Sequence, residues 1–158
     1  MTTTITGATG IDNIKAATGA VLQVVSATQG GVSLVATSST TYVATGLTKT
    51  ITPSSTSSKI RIDASFYADA DTTGATLFFI VKRGSTSLGG GSQDANTGIN
   101  LVSNTRLITS LFFTYLDSPS TTSATTYELY MKTANSSNTV RYRPDDVLSS
   151  LILTEIAG

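Results

Sequence analysis

Cysteine and histidine are both absent from this sequence. Without cysteine there is no disulfide framework and no thiolate chemistry. Without histidine the chain lacks the usual general base, the usual proton switch near neutral pH and the commonest transition-metal ligand. Zinc and copper sites are excluded with them, because carboxylates alone suit harder ions. Charge is scarce too: 13% of residues are charged, against about 25% in an ordinary domain, and the net charge is zero. A neutral chain with few clustered Lys and Arg does not suit a phosphate backbone, so no nucleic-acid partner is expected. Low charge also weakens self-repulsion and favours association. No apolar run reaches the length of a membrane-crossing helix, and no basic start followed by an apolar stretch marks a signal peptide. No membrane insertion is expected.

What the chain has in abundance is hydroxyl groups. Thr and Ser make up roughly a third of its 158 residues. Serine in such numbers is no sign of catalysis here, since no base accompanies it and no G-x-S-x-G elbow occurs. Gly89-Gly90-Gly91 is not a phosphate loop, because no G-K-[ST] follows. The sequence is read as non-enzymatic, with no cofactor, no metal site and no catalytic residue.

Strand signals run almost without a break from Val21. Val21–Val25, Val32–Ala36, Tyr42–Leu47, Thr48–Ile51, Thr76–Arg83, Tyr127–Lys132, Thr139–Tyr142 and Leu148–Ile156 are short and rich in β-branched and aromatic residues. Ile60, Ile62, Ala64 and Phe66 alternate with Arg61, Asp63, Ser65 and Tyr67, the pattern of a half-buried strand. Leu101 to Leu116 reads as a long strand region or two strands, and Gly84 to Gly98 as a surface loop or a hairpin with a loop. With roughly eight to ten strands, recurrent turns and no convincing helix, the expected fold is all-β, a jelly-roll-like β-sandwich. Residues 1–19 are read as a short N-terminal arm and 20–158 as the β-sandwich domain.

"TGLTKTITPSSTSSKIRI", residues 45–62, tests whether there is one domain or two. Its SSTSS segment has the composition of a flexible linker. Yet Pro53 stops one strand and Lys59-Ile60 opens the next, so the segment reads as a turn inside one sandwich.

Two strands are apolar on both faces. In Leu107–Leu116, Leu107, Leu111, Phe113 and Tyr115 share one face and Ile108, Phe112 and Leu116 the other; in Thr76–Arg83, Leu77, Phe79 and Val81 oppose Phe78 and Ile80. A simple sandwich buries one face of each sheet. The second face needs a cover from another subunit, from the arm with its Ile5, Ile11 and Ile14, or from a loop of the same chain. Phe78, Ile80, Ile108, Phe112 and Leu116, with the three arm isoleucines, are therefore the candidate oligomer or capsid interface.

Three polar groupings compete for a binding role. Asp69-Ala-Asp71-Thr-Thr-Gly74 is read as a solvated turn; as a calcium loop it fails, since Ile80 stands where the closing Glu belongs. Asp145-Asp146 is read as a surface ion-pair partner of Arg141 or Arg143. Arg141, Tyr142 and Arg143 offer a ring and forked donors of the kind that grip a glycan, or are ordinary exposed side chains at a strand end.

"GAVLQVVSAT" (19–28), "TYVATGLTKTITPSSTSSKIRI" (41–62), "VKRGSTSL" (81–88) and "FTYLDSPSTTSATTYELYMKT" (113–133) together resemble a module recurrent in virion proteins of tailed bacteriophages, chiefly tail-fibre-like proteins of phages of cyanobacteria and marine bacteria. The likeness covers residues 20 to 156 and rests on order and spacing. It implies a β-sandwich that trimerises and a virion location. The module follows close behind Met1, without the shaft of a fibre, which leads to the expectation of a capsid decoration, or cement, protein. Such a protein would be a homotrimer bound to the major capsid protein, made in the host cytoplasm and carried on the particle surface. The alternative is a short tail-fibre or tail-tip subunit whose partners are tail or baseplate proteins and a host surface glycan.

Overall fold

The computed structural model describes residues 16–70, 74–102 and 106–158. Among them every regular element is a strand: β1 (Val21–Gln29), β2 (Val35–Thr37), β3 (Val43–Ile51), β4 (Lys59–Ala70), β5 (Thr76–Arg83), β6 (Thr86–Ser87), β7 (Thr97–Asn100), β8 (Leu107–Asp117), β9 (Thr125–Thr133), β10 (Val140–Tyr142) and β11 (Ser149–Ile156). Among the described residues no helix is long and apolar enough to cross a membrane. The arm isoleucines Ile5, Ile11 and Ile14 lie outside the described residues, as does Asp71.

The strands form two antiparallel sheets packed face to face. In sheet A, β4 is the spine. It bonds β8 along one side and, along the other, first β11 and then β10; β1 lies beyond β11 and β2 beyond β10. In sheet B the order is β3-β9-β5-β6, with β7 also on β5. This is the expected all-β sandwich, and period-two alternation builds it. Ile60, Ile62, Ala64, Phe66, Ala68 and Ala70 of β4 face inward against Leu77, Phe79 and Val81 of β5 and Tyr127, Leu129 and Met131 of β9. Phe66 sits at the centre, its ring 4.4 Å from Phe79 of the facing sheet, 6.2 Å from Phe113 and 6.3 Å from Tyr142.

The SSTSS segment carries the chain from β3 in sheet B to β4 in sheet A. It is a turn between the two layers, closed by the Ser58 amide on the Ser55 carbonyl at 3.2 Å. Ser54 ties it to β11: both its amide and its hydroxyl donate to Glu155 Oε1, at 2.7 Å each. From β1, the Gln23 amide donates to Glu155 Oε2 at 2.6 Å and to the Thr52 carbonyl at 2.7 Å. Glu155 is fully buried. Burial alone would raise its pKa, but the bonds from Gln23 and Ser54 outweigh that and hold it at about 2.

The first two residues of the expected Asp69–Gly74 turn, Asp69 and Ala70, belong to a strand. Asp69 belongs to β4, opposite Arg141 of β10 and Ile108 of β8, and has no exposed surface. Its turn-like neighbourhood in sequence is overridden by three guanidinium groups. Arg106 Nε donates to Oδ1 at 2.9 Å, while Arg143 and Arg141 approach Oδ2 at 3.4 and 3.6 Å.

Candidate interaction surface

Sheet A and sheet B treat their outer faces differently. On sheet B the outward row of β5 is Phe78, Ile80 and Lys82, beside Lys132, Tyr130 and Glu128 of β9. The Tyr42 ring lies 5.4 Å from Lys82 Nζ and 4.7 Å from Lys132 Nζ, at opposite corners of this grid, which puts it over the middle. Its hydroxyl donates to the Asp94 carbonyl at 2.8 Å, so the Gly84–Gly98 loop holds it down. That loop folds tightly at Gly89, where a Cβ would come within 2.6 Å of the Asp94 carbonyl oxygen. Ile80 is consequently fully buried by its own chain and offers a neighbour nothing. Its assignment to an intermolecular interface is corrected: a same-chain cover accounts for it. Phe78 is half-buried, with Lys132 Nζ 5.6 Å from its ring.

On sheet A the outward row of β8 is Ile108, Ser110, Phe112, Thr114 and Leu116. The core-facing row of the same strand (Leu111, Phe113, Tyr115) packs on the buried cluster. Phe112 is 80% exposed, Leu116 51% and Ile108 36%. An aromatic ring left so open on a regular strand, flanked on the same face by Ser110 and Thr114 and beyond them by Ile108 and Leu116, makes an interrupted apolar ridge of the kind that marks contact surfaces. Beside it runs a shallow groove of about 400 Å³, lined by Arg61, Asp63, Ser65, Phe112, Thr114, Ser150 and Ile152. Its charges are already matched, Arg61 Nε lying 3.0 Å from Asp63 Oδ2.

The grouping Arg141, Tyr142 and Arg143 is divided by the pleat. Val140 and Tyr142 point inward and both are fully buried, while the arginines point out. The Tyr142 hydroxyl donates to Gln29 Oε1 at 2.8 Å, and burial raises its pKa. A buried ring cannot stack on a sugar, so the glycan contact through Tyr142 is corrected. Arg143 is engaged by Asp145 at 3.1 Å and Asp146 at 2.8 Å, the ion pair that the sequence suggested. The bond from Arg143 holds Asp145 below the ordinary carboxylate pKa.

Besides the Glu155 grouping, sequence reasoning missed two clusters built on buried carboxylates: the arginines around Asp69, and Asp117 with Arg83 (2.8 Å) and the Tyr127 hydroxyl (2.7 Å). Burial and then the bond to Asp117 raise the Tyr127 pKa. The first cluster lies on the outer face of sheet A beside Ile108, and the second between the sheets at the other end of β8.

No family model matches the chain, and no curated protein matches it by sequence. Among solved structures it is similar to VP2 of infectious bursal disease virus, as found in the subviral particle, with a TM-score of 0.51 at 12% identity over 86% of this chain and 33% of that one. The T13 particle of the same virus also matches, with a TM-score of 0.45 at 11% identity over 96% of this chain and 40% of that one. The chain thus spans about a third of that VP2 chain. The likeness shows the fold. It is an all-β sandwich of two antiparallel sheets.

Proposed function

We propose that the chain is a non-enzymatic structural protein of a bacteriophage virion: a trimeric decoration, or cement, protein that reinforces the head by binding between capsid subunits. The observation that carries this reading is the exposed row of Ile108, Phe112 and Leu116 on a long edge strand whose register is unbroken. The phage-like motifs and the capsid-type fold support the virion context. Binding would be by burial of apolar surface between copies of the chain and with the capsid protein, and would stabilise the assembled shell by mass action, since the protein would bind the assembled shell only.

Counting copies per particle tests the reading, together with heating particles made with and without the protein. Copies in the hundreds, and earlier rupture of particles that lack it, are the expected results. A handful of copies, with normal heat resistance and lost adsorption to cells, would assign the chain to the tail fibre or tail tip instead, the setting in which its motifs are most familiar.

A further inference from the structure

The edge strand β8 has a property that its exposure alone does not convey. Its outward row, read from Ile108, is aliphatic, hydroxyl, aromatic, hydroxyl, aliphatic: Ile108, Ser110, Phe112, Thr114, Leu116. Read backwards it is chemically the same. If a second β8 runs antiparallel beside the first with Phe112 opposite Phe112, then Ile108 meets Leu116, Ser110 meets Thr114, and the pattern repeats on the other half. On the core-facing row the same register sets Leu111 against Phe113 and Thr109 against Tyr115, so both sandwich cores continue across the seam. A two-fold contact requires this self-complementarity, because each residue's partner is dictated by the axis.

The backbone is equally prepared. Among the described residues β8 is bonded to β4 alone, which leaves its other edge to pair. Its register with β4 runs from Leu107↔Ala70 to Asp117↔Ile60 without a shift. Soluble proteins guard long edges with lysine, proline, bulges or inward charges. From Leu107 to Leu116 there is no charged residue, no proline and no glycine, and the one acid at the end, Asp117, is turned inward to Arg83 and Tyr127.

We infer that β8 is a homotypic docking strand: it pairs antiparallel with β8 of a second copy of this chain about a two-fold axis at Phe112, joining the two A sheets into one. This rests on the reading of the module as a self-associating virion protein, but not on which particle surface carries it. The contact differs in symmetry from a three-fold. Trimers joined through β8 make a hexamer, or link each trimer to the next across a shell.

The absence of cysteine provides a clean probe. Facing residues of an antiparallel pair have Cα atoms about 4.5 to 5.5 Å apart, within disulfide range. Under mild oxidation the full-length Phe112→Cys variant should form a covalent dimer. Ser110→Cys should not, because in this register it stands about 13 Å from its own copy; Ser110→Cys combined with Thr114→Cys should link again. In light scattering the unmodified protein should have a mass of two or six chains. Phe112→Lys should halve it and weaken the two-fold contact by roughly a thousandfold, since two symmetric aromatic anchors are lost at once. A trimer whose mass is indifferent to Phe112→Lys, with no Phe112→Cys link, would overturn the inference, leave the proposed function standing and assign the ridge to a capsid subunit or to this chain's N-terminal residues. A monomer at all concentrations would overturn both.

Discussion

The two flanks of the sandwich present opposite solutions to the same problem. On one flank β1 and β3 are edge strands lying side by side from opposite sheets. Both are irregular: the register of β1 breaks between Val21 and Gln23, and that of β3 between Ala44 and Thr48, where Gly46 has φ of 82°. Lys49 adds a charge to β3, and Gln23 ties β1 to Thr52 and Glu155. On the other flank β8 is longer, in unbroken register, uncharged until its last residue and apolar on both faces. In a chain this poor in charge, one flank is closed by bulges and hydrogen bonds and the other is left straight. The difference locates the association surface more sharply than exposure does, because Val21 and Val24 on β1 are also exposed but lie on a strand whose register is broken.

The largest effect that would test the contrast comes from the covered side of the open flank. Phe113 and Phe112 are neighbours on β8, yet only Phe113 packs against Phe66. Phe113→Ala should cost about 3 to 5 kcal/mol in urea unfolding, as truncation of a buried aromatic does. A loss below about 1 kcal/mol would mean that β8 is loosely attached, and a loose strand is a poor docking element.

Next in size is the lock on the closed flank. Glu155→Ala leaves the Gln23 amide and two Ser54 donors without their acceptor and should cost about 3 kcal/mol. The same carboxylate makes the flank acid-sensitive. Its pKa in the fold, about 2, lies below the ordinary 4.5, so its contribution is complete above pH 4.5 and is lost as the pH falls towards 2. Stability measured against pH should decline over that window in the native protein, and the decline should be shallower in Glu155→Gln. An unchanged slope would show that the lock is not ionic.

The sequence made the open flank legible and the closed one opaque, for a physical reason. Period two is a local signal, so the alternation in β4 and the double apolar face of β8 could be read directly. The same alternation in Val140-Arg141-Tyr142-Arg143 puts Tyr142 with Val140 in the core, and it outranks the chemistry of an Arg-Tyr-Arg cluster. Asp69, by contrast, looks like turn material until Arg106, Arg141 and Arg143 converge on it from other segments. Ile80 looks like interface until Tyr42 and the turn at Asp94 close over it. Neither convergence leaves a trace in local pattern. The bulge in β3 is intermediate: Gly46 interrupts what reads as two strands, Tyr42–Leu47 and Thr48–Ile51, and the structure joins them into one bent edge.

That bend can be tested by itself. Gly46→Ala adds a side chain where φ is positive but space is open, the nearest atom being Gln29 Nε2 at 3.4 Å. The cost should be conformational, about 1 to 2 kcal/mol, with no change in oligomeric mass. New association through β3 would show that the bulge, more than the hydrogen bonds, keeps that edge closed.

The smallest expected change in stability is the most discriminating. Phe112→Ser removes the ring that is 80% exposed, so at high dilution it should alter unfolding free energy by less than about 0.5 kcal/mol. With increasing protein concentration the unmodified chain should gain stability, because association favours the folded state, while Phe112→Ser should not. The two unfolding midpoints, equal in dilute solution, should therefore diverge as concentration rises. If instead they differ by a fixed amount at every concentration, the ring supports its own fold. The two flanks would then differ only in shape, with no docking strand on either.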